Sequence, residues 1–130
     1  MANETKRNGG AINLALWVLQ VLGAGMFFMA GFAKLLGNDV MVQEFEIIGF
    51  GQWFRYFTGA LEVMGGIFLL TPRMSLFGAL ILAAVMIGAV IFHLALIGGS
   101  PVMALILLAA MSMIAWGRLH QSPIPVKVDE

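Results

Sequence analysis

Met74-Ser75-Leu76-Phe77-Gly78-Ala79-Leu80-Ile81-Leu82-Ala83-Ala84-Val85-Met86-Ile87-Gly88-Ala89-Val90-Ile91-Phe92-His93-Leu94-Ala95-Leu96-Ile97 decides the fold, because it contains no Asp, Glu, Lys or Arg. A hydrocarbon core of about 30 Å needs roughly 17 to 25 helical residues to cross it, and this stretch supplies them. Pro72-Arg73 precedes it and Gly98-Gly99-Ser100 follows it, so both ends are marked by turn-forming residues. Working outward, Ala11 to Leu36, Gln52 to Thr71 and Pro101 to Gly117 are of similar length and character. Lipid offers no partner for a bare amide, so all four spans must be helical. Short links make neighbours antiparallel, which predicts an all-α integral membrane four-helix bundle.

Composition agrees. The chain has 130 residues, of which 61% are hydrophobic and 11% charged, with a mean hydropathy of +0.96. A soluble domain of this length lies far from those values. Formal net charge is +0 and no block of like charge exists, so nothing points to nucleic acid. There is no cysteine, which removes thiolate nucleophiles, disulfide exchange and Cys-held metal or cluster sites from this chain's own repertoire. Redox chemistry would have to use a bound cofactor or a partner. The first apolar run reaches Ala33, too long for a signal-peptide core of about 7 to 15 residues, and is expected to be a retained, uncleaved span.

Lys6, Arg7, Arg73, Arg118 and Lys127 fall on one side of such a bundle; Lys34 and Arg55 fall on the other with Asp39, Glu44 and Glu46. Cytoplasmic loops carry the excess of Lys and Arg, so both termini are expected to be cytoplasmic. The resulting organisation is a cytoplasmic N-terminus at 1–10, a bundle at 11–118 and a cytoplasmic tail at 119–130. The tail, with Pro123 and Pro125, has little to bury and reads as extended or disordered. In the outer loop Gly37 to Gly51, Met41, Phe45 and Ile48 recur at helical spacing after a cap at Asn38 or Asp39. A short interfacial helix ending at Gly49 is expected there, and a connector on the membrane surface is preferred over a lid on a site.

Polar residues inside the spans are the pointers to function. A bare charge near a bilayer centre costs at least about 2.5 kcal/mol, so Glu62 must be neutral or paired. Arg55 stands seven residues earlier on nearly the same helix face, about 10 Å away along the axis, with Thr58 and Gly59 between them. Gly65 and Gly66 below Glu62 let another helix or a ligand come close to the backbone. The first span carries a matching stripe, Gln20, Gly23, Phe27, Gly31 and Lys34. In the third span His93 lies about a turn from the outer boundary, on the side of Ala79, Leu82, Met86 and Ala89. Lys34, Arg55 and His93 thus share roughly one depth with Glu62 beneath.

Each has a plain reading. Lys34 and Arg55 can snorkel to headgroups, His93 can bond a neighbouring helix, and Glu62 can form a structural pair with Lys34 or Arg55. Convergence of four ionisable groups in one half of a small bundle favours a buried site opening outward. Ten methionines fit apolar filler better than a copper site, and two histidines do not make a metal cage, so no metal is expected. Phe27, Phe28, Phe32, Trp53, Phe54, Tyr56 and Phe57 crowd the outer interface as an aromatic belt, some of them able to clamp a planar ring.

Three motifs stand in order: Ala30-Gly31-Phe32-Ala33-Lys34-Leu35 closing the first span, Gly59-Ala60-Leu61-Glu62-Val63-Met64-Gly65-Gly66 in the second, and Phe92-His93 late in the third. With that order and spacing, the chain from about Ala11 to Trp116 resembles the DoxX-like family of small four-helix membrane proteins, mainly prokaryotic. The resemblance implies a location in the cell (inner) membrane and a role as a membrane component of an oxidoreductase system. Relatives are linked to thiosulfate oxidation with quinone as acceptor and to complexes handling thiol and oxidative stress. By motif position it implies that Lys34, Glu62 and His93 form the polar core.

A quinone-binding subunit follows as the first functional expectation. Glu62 and His93 would be its proton-handling, catalytic groups, and Lys34, Arg55, Thr58, Phe27 and Gly31 would form the ligand-binding wall. Lys34, Arg55 or His93 would donate hydrogen bonds to the ring's carbonyl oxygens. Electrons would come from a protein partner, and the subunit would not be self-sufficient as an enzyme. A non-catalytic scaffold in a larger complex or a homo-oligomer, and a small proton or solute conductor, are the alternatives.

Overall fold

The computed structural model describes residues 2–120, with side chains from residue 9 onward. The expectation of an extended or disordered tail at 121–130 lies outside the described residues. The chain is all-helical as expected: α1 (Ala2–Leu36), α2 (Asp39–Ile48), α3 (Gln52–Leu70), α4 (Ser75–Phe92), a π-helical turn (His93–Ile97) and α5 (Val102–His120), with no strand among the described residues.

Local chemistry sets the boundaries. Gly37, at φ 75°, ends α1. Its N–H donates to the Lys34 carbonyl at 3.3 Å and the Asn38 N–H to that of Ala33 at 3.0 Å, the paired bonds of a Schellman cap. Asn38 then opens α2, its side-chain oxygen accepting from the Val40 N–H at 3.0 Å. Gly49, left-handed at φ 85°, closes α2 by donating to the Phe45 carbonyl. Both ends of the connecting helix were therefore legible in the outer loop.

The third expected span differs from a plain α-helix. It is α-helical only to Phe92, and from His93 the turn widens until the Gly98 N–H donates to the His93 carbonyl at 3.0 Å, five residues back. Gly98 and Gly99, at φ 77° and 75°, allow the chain to leave that wide turn. A stretch apolar on every side has no phase from which such a change of pitch can be read.

Among the described residues, three helical segments are long and apolar enough to cross a membrane: Gly9–Leu36, Ser75–Ile97 and Val102–His120. The α3 helix has the length of α5 but carries Arg55 and Glu62, and it falls outside that group. The long helices form a closed ring in which α1 packs on α3, α3 on α4, α4 on α5 and α5 on α1, while α2 lies across α3 and the π turn.

Glycine sets the helix spacing where backbones meet. A Cβ on Gly31 would lie 2.9 Å from the Gly59 carbonyl oxygen, and one on Gly78 would lie 2.8 Å from the Gly65 carbonyl oxygen and 2.8 Å from the Leu69 nitrogen. Phe27, Leu69, Leu82, Met111 and Ile114 fill the interior, and many large apolar side chains face outward, Met29 and Leu94 with 73% and 71% exposure among them. A surface of that kind suits an apolar solvent.

Away from α2, polar groups tie the ring together. The buried Gln20 amide donates to the Leu69 carbonyl at 2.6 Å and to Ser75 Oγ at 3.0 Å. Its oxygen accepts from Arg118 Nε at 2.6 Å, and Arg118 also donates to Asn13 Oδ1 at 2.8 Å. One side chain thereby joins α1, α5 and the α3–α4 turn.

Gly78→Ala should lower stability by about 1–3 kcal/mol, because the added methyl meets backbone rather than a flexible side chain. Gly25→Ala, where a Cβ meets nothing within 4 Å, should be neutral or slightly stabilising. Thermal unfolding of both variants in one detergent checks the contrast.

Candidate functional site

Glu62 is brought to the centre of the fold by the glycine contact beside it. Gly59 sits one turn earlier on α3, where a Cβ would lie 3.0 Å from both the Gly31 oxygen and Lys34 Cβ. With the backbones that close, Lys34 Nζ reaches Glu62 Oε1 at 2.9 Å. The side-chain exposures of the pair are 15% and 1%. That contact is of hydrogen-bonding length, whereas Oε2 has no hydrogen-bond partner among the described residues. The charge is balanced, but the acceptor capacity of Glu62 is only partly used.

Beside the pair lies a cavity of about 460 Å³, within the size range of small-molecule sites. Lys34, Thr58, Glu62 and His93 line it, so four residues chosen from the sequence come together. Its apolar walls include Phe54, Phe57, Met86, Ala89 and Phe92 from α3 and α4. Phe54 meets Phe57 with ring centroids 6.3 Å apart and Phe92 edge-on at 6.0 Å. The three rings form one contiguous aromatic wall through Phe54.

His93 enters the cavity at the first residue of the π turn, and Ile97 at its last. The ring's Nδ1 lies 2.8 Å from the Ala89 carbonyl oxygen. A carbonyl can only accept, so Nδ1 carries the proton and, in the neutral imidazole, Nε2 is an acceptor. Thr58 donates its hydroxyl hydrogen to the Phe54 carbonyl at 2.8 Å and keeps lone pairs for other donors.

The other sequence candidates stand elsewhere. Arg55, considered as a partner for Glu62, is buried outside the cavity walls. Its Nε donates to Gln52 Oε1 at 2.7 Å, its Nη1 donates to the Lys34 carbonyl, and its guanidinium stacks on Tyr56 at 4.3 Å. Sharing a helix face with Glu62 did not bring the two together, because the exposed end carbonyls of α1 are nearer. Phe27 is a fully buried core residue, and Gly31 is the contact point between α1 and α3; neither is among the cavity walls.

Sequence reasoning missed Glu44, Phe45 and Ile48, which α2 contributes to the cavity. The apolar face of that helix, Phe45 and Ile48, is buried, and both residues with Glu44 line the cavity. The same apolar spacing that marked the helix was the signal for its inward face.

A model described as the DoxX-like family matches residues 18–117. No curated protein and no solved structure gives a significant match.

Removing one member of a buried pair leaves an uncompensated charge, so Lys34→Met should destabilise the bundle by about 3–5 kcal/mol. Lys34→Met combined with Glu62→Leu should recover most of that loss. A double-mutant cycle on thermal unfolding in detergent measures the coupling, and equal losses in the single and double variants would contradict a paired Glu62.

Proposed function

The chain belongs to the DoxX-like family, and we propose that its cavity binds a planar quinone-like ring as part of a membrane oxidoreductase system. The observation that carries this reading is the combination of an aromatic-walled cavity of about 460 Å³ with a buried, incompletely bonded carboxylate in its lining. In this reading α3 is the fourth crossing of the bundle. Its Arg55 is held by Gln52, Tyr56 and the end of α1, and its Glu62 by Lys34, so neither charge faces lipid alone. The distribution of Lys and Arg supports an orientation with the α2 end away from the cytoplasm, in a prokaryotic inner membrane.

The residues fit such a ring. Phe54, Phe57 and Phe92 supply flat apolar contact, while Glu62, Thr58, His93 and Lys34 supply polar groups toward its oxygen substituents. A bound quinone supplies reversible two-electron, two-proton chemistry. The chain's own part is to orient the ring, exclude water with α2 and hold or release protons at Glu62 and His93. With no cysteine in the sequence, thiol chemistry belongs to a partner protein, and electrons reach the ring from there.

A scaffold reading gains support from the Gln20–Arg118 cluster, in which Gln20 bonds Leu69, Ser75 and Arg118 across helices. It does not account for the cavity. Conduction is less well supported, because Phe27, Leu69, Leu82, Met111 and Ile114 fill the interior and no second intramembrane acid continues the path from Glu62.

Gly88 tests the ring site without disturbing the packing, since it lines the cavity and a Cβ there meets nothing within 4 Å. Gly88→Phe should weaken binding of a tail-less benzoquinone at least about tenfold, the equivalent of about 1.4 kcal/mol, with little change in unfolding temperature. Calorimetric titration in nanodiscs, corrected against empty nanodiscs, reads both variants. Unchanged affinity in Gly88→Phe would remove the cavity from consideration as the site.

A further inference from the structure

We infer that the cavity selects a ligand that donates hydrogen bonds, so that on the ring-binding reading above, on which this rests, it holds the reduced dihydroxy form of the ring more tightly than the quinone. The argument is an inventory of what the lining side chains have left once their contacts within the protein are counted. Glu62 is 1% exposed, its Oε1 meets Lys34 Nζ at 2.9 Å, and its Oε2 has no hydrogen-bond partner among the described residues. In the ion pair with Lys34 it is a carboxylate, whose oxygens only accept. His93 uses Nδ1–H on the Ala89 carbonyl, leaving an acceptor on the neutral ring. Thr58 has given its only hydrogen to the Phe54 carbonyl. Glu44, half-buried at the α2 side of the cavity, adds a second carboxylate.

Acceptors therefore dominate the cavity. Arg55, the strongest donor expected there from the sequence, points its donors to Gln52 and to the Lys34 carbonyl. The remaining hydrogens of the Lys34 ammonium are the cavity's charged donors. A quinone presents two carbonyl oxygens and no donor, so it leaves Glu62 Oε2 unanswered and competes for Lys34 alone. A hydroquinone presents two O–H groups and can satisfy Glu62 together with His93 or Thr58. A buried carboxylate that gains a donor benefits doubly, because the hydrogen bond is charge-assisted and the desolvated acceptor is no longer unpaired.

The test uses the full chain in nanodiscs under anaerobic conditions, with three probes titrated calorimetrically: 2,3-dimethoxy-5-methylbenzoquinone, its hydroquinone, and the dimethyl ether of that hydroquinone. The hydroquinone should bind at least about tenfold more tightly than either of the others, as expected of one hydrogen bond to a charged group. Glu62→Gln should reduce that preference several-fold, because the amide is a weaker acceptor. If quinone and hydroquinone bind equally, or the quinone binds more tightly, donor selection is overturned while the ring site stands. If the dimethyl ether matches the hydroquinone, the preference is not for O–H groups and the inference also fails. Binding of none of the three overturns the ring-binding reading and this inference with it.

Discussion

The Lys34–Glu62 ion pair is the constraint around which the rest is arranged. It joins the last turn of α1 to the middle of α3, and it can form only where the two backbones nearly touch. Gly31 and Gly59 create that contact, since a methyl at either position would press on the other's carbonyl oxygen. The acid in turn explains why α3 is lodged in the ring between α1 and α4, for an isolated carboxylate in an apolar surrounding would not be tolerated. Small residues, a buried acid and a lysine near the helix end are thus one device spread over two helices.

The two ends of the bundle treat buried polar groups differently. Toward the α3–α4 turn, Gln20 spends both its donor and its acceptor capacity on Leu69, Ser75 and Arg118. At the α2 end, Glu62 meets Lys34 through Oε1, while Oε2 has no hydrogen-bond partner among the described residues. That oxygen belongs to a side chain lining a cavity, so its lone pairs are available to whatever the cavity holds.

Legibility in the sequence followed the strength of the physical signal. Long apolar runs revealed the helices, and Asn38 and Gly49 marked α2, because hydropathy and caps are local. Lys34, Thr58, Glu62 and His93 line one cavity. Arg55, Phe27 and Gly31 were placed at the same site by helical spacing, yet spacing identifies a face and not what faces it. The packing of α1 on α3 decided that Gly31 touches backbone, Phe27 fills the core and Arg55 turns to carbonyls. Glu44 was hidden because its role depends on α2 folding back over the cavity, a tertiary fact. The π turn was hidden because an apolar surround erases helical phase.

Arg55 has a part in the site although it does not line it. Its guanidinium bonds the Lys34 carbonyl and the Gln52 side chain, and the Gln52 amide bonds the Val42 carbonyl at 3.1 Å. A continuous chain therefore runs from the backbone of α2, through the first turn of α3, to the residue whose ammonium pairs with Glu62. The cover over the cavity and the charge in its lining are fixed by the same two side chains. Movement of α2, flanked by the left-handed glycines Gly37, Gly49 and Gly51, would pull on the Gln52–Arg55 link before it reached the core. Coupling of that kind requires no long pathway, because cover and ion pair share Lys34's own backbone as their anchor.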